Sequence, residues 1–124
     1  MSAIRELVTG FPWGLILISD AESTEPIPPW RSDNHPVASA ESAVVLRVLH
    51  RDDGDVSVRI ITSESEARSS EIFDGVLSIG SGLVRVSDAL GNEAIECPLS
   101  CGKHRLRLYS DDRFEGAIVD VLLD

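Results

Sequence analysis

Long apolar runs are missing from this sequence, and that absence sets the first limit on it. No stretch approaches the roughly 20 apolar residues of a membrane-spanning helix, which excludes a transmembrane reading. Cysteine is nearly missing too: Cys97 and Cys101, in "CPLSC", are the only two. A chain of 124 residues buries about two thirds of the surface its unfolded form would expose, so it needs no disulfide framework and free thiols in a reducing cytoplasm are the expectation. The same scarcity argues against zinc, since Cys97, Cys101 and His104 leave a tetrahedral site one ligand short. Aromatic residues make up 5 % of the chain, and lysine occurs once, at Lys103. "FPWGLILIS" at residues 11 to 19 is too short and too interrupted for a secretion signal, so the start reads as mature intracellular chain.

Acidic residues, in contrast, are abundant: 21 against 11 Lys plus Arg, for a net charge of -10. Such a field repels nucleic acid and anionic membranes and favours encounter with basic partners. One domain spanning residues 1–124 is the expectation at this length.

Residues 1 to 10 place Ile4, Leu7 and Val8 behind Ser2, which suits a short N-terminal helix capped by that serine or a terminal strand. Trp13 to Ser19 reads as a buried strand. Residues 20 to 40 hold most of the prolines and read as a long ordered loop or an edge wrapping the domain, with Trp30 as an aromatic anchor. Beyond it, "SAVVLRVLH" and "DVSVRIITS" alternate with period two on either side of Asp53-Gly54, which predicts a hairpin. "SESEARSS" is a polar excursion with a helical turn. Gly75, Gly80 to Gly82 and Gly91-Asn92 mark turns or bulges in the stretch that follows. "KHRLRLYS" and "GAIVDVLLD" close the chain as strands, and Cys97-Pro98 falls in a turn. Seven or eight short strands with frequent turns predict an all-β protein, an antiparallel β-sandwich.

In "HRLRLYS" the residues Leu106 and Leu108 share one face, and Arg105, Arg107 and Tyr109 share the other. Arg47, Arg59 and Arg85 alternate with apolar neighbours in the same way. The plain reading is a solvated sheet face whose arginines answer acidic neighbours. The rival is a basic strip that reads a carboxylate or phosphate through forked guanidinium contacts.

Two acidic clusters, "DDGD" at residues 52 to 55 and "SDDRFE" at residues 110 to 115, fall at predicted strand ends and would share one pole of a sandwich. Neither shows the ligand spacing of a helical calcium loop, yet Asp52, Asp53, Asp55, Asp111 and Asp112 together would offer oxygens to calcium. His35, His50 and His104 sit in no nucleophile elbow, and Cys97 is placed as a structural thiol. No phosphate-cradling loop, metalloprotease helix or dinucleotide fingerprint is present, so the chain reads as non-enzymatic and without a cofactor.

The Pro-rich segment ending in Trp30, the central strands and the closing "CPLSCGKHRLRLYSDD" resemble small bacterial proteins related to the competence-type inhibitor of the DNA-entry nuclease. The turn-and-strand of that group is matched by Pro98, Leu99, Gly102, His104, Arg105 and Leu106, while Tyr109 stands where the group has tryptophan. The resemblance implies a β-rich acidic protein that binds and restrains a basic partner. Combined with the charge, it gives the leading expectation: an immunity or inhibitor protein that meets a basic protein such as a nuclease. Trp30, Asp52, Asp53, Asp55, Asp111, Asp112 and Glu115 form its candidate partner-binding set. The alternatives are a calcium- or small-ligand-binding sandwich and a structural accessory domain.

Overall fold

The computed structural model describes residues 3–30 and 34–124. Ten strands form two five-stranded sheets packed face to face. In chain order they are β1 (Ala3–Thr9), β2 (Leu15–Asp20), β3 (Val37–Ser39), β4 (Ala43–Arg47), β5 (Val56–Ile61), β6 (Ser70–Ile79), β7 (Leu83–Asp88), β8 (Ala94–Pro98), β9 (Gly102–Ser110) and β10 (Ile118–Leu123). Sheet one runs β1-β5-β10-β9-β6, and sheet two β3-β4-β2-β7-β8. Every pairing is antiparallel except β5 with β10. The all-β sandwich expected from the alternation is the observed architecture, with more strands than the turn signals suggested.

The alternation places the core. Val56, Val58 and Ile60 of β5 are inside with Leu106 and Leu108 of β9 and Val119 and Val121 of β10. Ile16 and Ile18, Val44 and Leu46, and Val84 and Val86 face them from sheet two. Each such side chain contributes about 1.5–3 kcal/mol on full burial. Strand β4 is buried on both faces, and Trp30, His35 and Glu25 of the Pro-rich segment reach to it and to the turn before it. These contacts include Arg47 Nε donating to His35 O at 3.1 Å and Ser42 N–H donating to Glu25 at 2.5 Å.

Of the helix or terminal strand expected at the start, the strand is present: Ala3–Thr9 form β1, which pairs with β5, and the proposed serine cap, Ser2, lies outside the described residues. Other expectations change. Residues 43–61 are not a hairpin, because β4 and β5 belong to opposite sheets. Alternation reports only which side of a strand meets the core, and two strands on opposite sheets meet the same core. Between them His50 Nδ1 accepts the Asp52 N–H at 3.1 Å, a 3-10 turn forms over Arg51–Asp53, and Gly54 at φ 145° redirects the chain. Cys97 and Pro98 lie within β8, and Gly75 lies mid-strand in β6, where its missing side chain makes room for the Phe73 ring. Finally, Trp13 does not begin a buried strand. Pro12 opens a 3-10 turn over Pro12–Gly14, and Trp13 projects from it, 62 % exposed, at φ 63°.

Candidate functional site

The pole at which sheet two hands the chain to sheet one is built from buried Phe11 upward. Its carbonyl accepts both Gly14 N–H and Arg51 N–H at 3.1 Å, which ties the Trp13 turn to the first acidic loop. Gly14 is fixed there by geometry: its φ is 62°, and a Cβ would stand 2.8 Å from Val48 O. Leu49 N–H donates to Gly116 O at 3.0 Å, which places the β9–β10 turn against the same loop. Both acidic clusters therefore occupy one pole.

Within the β9–β10 turn the carboxylates differ in how much they are committed. Asp111 Oδ1 accepts Ala117 N–H at 2.9 Å and Ile118 N–H at 3.1 Å. Asp112 Oδ1 accepts Phe114 N–H at 2.9 Å and Glu115 N–H at 3.0 Å, and these donors hold its carboxyl below the usual range. Asp111 and Asp112 are therefore turn builders. Asp53 and Glu115 are exposed and line a shared open cleft of about 250 Å³, together with Trp13, Arg47, His50 and Phe114. Asp52 and Asp55 flank Asp53 on the exposed loop. Trp30 is half-buried, and the Arg47 guanidinium stacks 4.0 Å from its ring centroid, so it braces one side of the cleft through Arg47.

The sequence reading missed Trp13 and Phe114, the exposed aromatics of this cleft. The signal for Trp13 was present in "FPWG", where Pro12 and Gly14 bracket a residue that cannot continue a strand. No three His, Cys, Asp or Glu side chains converge as a cation site among the described residues, so the acids offered to calcium share a pole without sharing a centre.

The remaining chemical candidates do not line this cleft. His104 is buried, with Nδ1 3.0 Å from Asp124 O and Nε2 2.7 Å from Ser100 O. Cys97 is buried, Cys101 is exposed, and both are free thiols. The arginines of sheet one are answered from within the molecule. Arg105 pairs with Asp74 at 2.6 Å, and Arg107 pairs with Glu64 at 3.3 Å and Asp124 at 3.0 Å. Arg59 and Arg68 both reach the fully buried Asp120 at 3.0 Å. Burial alone would raise the Asp120 pKa, but these donors outweigh it and hold the carboxyl below its ordinary value. Arg47 and Arg85 lie on sheet two, so the five arginines do not form one strip.

The fold has known counterparts. The crystal structure of ComJ, inhibitor of the DNA degrading activity of NucA, from Bacillus subtilis superposes with a TM-score of 0.72 at 13 % identity, covering 100 % of this chain and 99 % of that one. The protein of crocagin biosynthetic gene J superposes with a TM-score of 0.62 at 15 % identity, covering 99 % of this chain and 96 % of that one. No family model matches the sequence, and no curated protein matches it. At these identities the likeness establishes the sandwich fold.

Proposed function

We propose that this protein is a non-enzymatic inhibitor that binds a basic protein, of the nuclease class, through its acidic pole. The observation that carries the reading is the cleft in which exposed Trp13 and Phe114 stand beside the uncommitted carboxylates of Asp53 and Glu115. An exposed aromatic next to acids is how a surface gains both a desolvated anchor and long-range attraction for a cationic partner. The left-handed backbone at Trp13 supports the same reading, since a non-glycine residue at positive φ persists only where the surroundings hold it, and such strain concentrates at functional sites. The end-to-end likeness to a nuclease inhibitor agrees in fold with this assignment. Partner contact falls to Trp13, Phe114, Asp52, Asp53, Asp55 and Glu115. Asp111 and Asp112 shape the turn that presents Glu115, and Trp30 braces the cleft. The cytoplasm, where thiols stay reduced, suits free Cys101.

The test uses the wild-type protein and a Trp13→Ala/Asp53→Asn/Glu115→Gln variant as baits in native cell extract. Proteins held by the wild type alone are then assayed for DNA or RNA cleavage with and without added bait. A basic nuclease whose cleavage falls on adding wild type, and not on adding the variant, is the expected result. Equal retention by both baits, or a captured protein whose activity is untouched, would overturn the reading.

A further inference from the structure

On the outer face of sheet two, β2 and β7 floor a second open cleft of about 250 Å³ between residues 20–23 and the β7–β8 turn. The register puts Ser19 opposite Arg85 and Leu17 opposite Ser87. Ser19 and Ser87 are 8 % and 3 % exposed, and among the described residues neither hydroxyl makes a hydrogen bond. Unlike Arg47, Arg59, Arg105 and Arg107, Arg85 neither pairs with an acid nor stacks on an aromatic ring among the described residues. Its Nη2 has a single long contact with Gly91 O at 3.5 Å, and its Nε is enclosed without an acceptor. An enclosed donor without an acceptor is costly and calls for an explanation, and Arg85 Nε belongs to a side chain that lines this open cleft.

Two acids of the cleft, Asp20 and Asp88, are committed elsewhere. Asp20 accepts Ser81 N–H at 2.9 Å, the Ser81 hydroxyl at 2.6 Å and Glu22 N–H at 3.3 Å. Asp88 accepts Leu90 N–H at 2.9 Å, Asn92 N–H at 3.0 Å and Glu93 N–H at 3.2 Å. Glu96, exposed, is the register partner of Arg85 in β8, and no ion pair joins the two among the described residues.

We infer that this cleft binds a small monocarboxylate, with the carboxylate on the Arg85 guanidinium and the Ser19 and Ser87 hydroxyls and a short apolar body against Leu17 and Leu90. A guanidinium beside two hydroxyls is the donor set a carboxylate takes. The charges of Asp20 and Asp88 and the net acidity of the chain work against a dianion such as phosphate. An open site of this size gives an affinity of about millimolar.

The test is an NMR titration of the intact protein with N-acetyl-leucine, N-acetyl-leucinamide and inorganic phosphate at constant pH and ionic strength. Saturable shifts of the Arg85 Nε–H and of the Ser87 and Gly91 amides are expected with the acid, none with the amide, and weaker ones with phosphate. Arg85→Gln is expected to weaken the acid at least about tenfold and Ser87→Ala several-fold, as removal of a charge-assisted contact does. Should Arg85→Gln fail to fold, Ser87→Ala decides. Equal response to acid and amide, no saturable shift, or unchanged binding by the folded variants would overturn the inference. It is independent of the acidic pole and stands or falls without it.

Discussion

Two groups of carboxylates, one on the outer face of sheet one and one at the pole, show opposite uses of the same charge. Asp120 sits in β10 beneath the 62–69 segment, with no exposed surface and with every oxygen engaged. Around it Ile61, Tyr109 and Leu122 form a small second core with Ala67. At the pole, Asp53 and Glu115 stand in solvent beside aromatic rings and accept no hydrogen bond from the described residues. The first is charge spent on holding a loop to a sheet, and the second, on the proposed function, is charge left for a partner. Net acidity alone does not distinguish them. Their hydrogen-bond partners do.

The sharpest way to break this contrast is Asp120→Asn, which leaves Arg59 and Arg68 facing a lost countercharge. A loss of about 3 kcal/mol in urea unfolding is expected, as for other buried pairs with one partner removed. A loss below about 1 kcal/mol would mean that the network is not structural. Next in size is Trp13→Ala, predicted to weaken the captured nuclease by about thirtyfold, near 2 kcal/mol, as for an interface anchor. Its melting temperature should hold or rise, because alanine carries no buried contact away from an exposed site. Unaltered binding would remove the anchor from the account.

Acid sharpens the contrast further. Asp120 and Asp20 have folded pKa values lowered from the ordinary one; burial opposes this, and the Arg59 and Arg68 donors for Asp120, and the Ser81 hydroxyl with the Ser81 and Glu22 N–H groups for Asp20, outweigh it. Their stabilisation is therefore fully present above the unfolded pKa and is lost as pH falls below about 4, through the folded values. Asp120→Asn should flatten that acid limb of the stability curve and leave the neutral limb parallel to wild type. The smallest expected effect is that of Asp53→Asn/Glu115→Gln on the fold, a melting shift within about two degrees, the size expected of exposed substitutions.

Much of the sandwich was legible because Val56, Val58 and Ile60, and likewise Leu106 and Leu108, mark their inward face by alternation alone. The same signal failed at residues 43–61, where two strands that face one core from opposite sheets look like a hairpin. It also failed at Trp13, where hydrophobicity suggested burial and the Pro12–Gly14 bracket decided otherwise. Of the candidate site, the acids were legible by composition and turn placement. Their division into committed and free was not, because it depends on backbone N–H groups brought by the fold, as at Asp111 and Asp112.

The most direct measurement is the association rate of the wild-type protein with the captured nuclease between about 20 mM and 500 mM salt, repeated with Asp53→Asn/Glu115→Gln. The account predicts a rate that falls at least about tenfold across that range for wild type and distinctly less for the variant. A rate that ignores salt, or a variant whose salt response matches wild type, would contradict it.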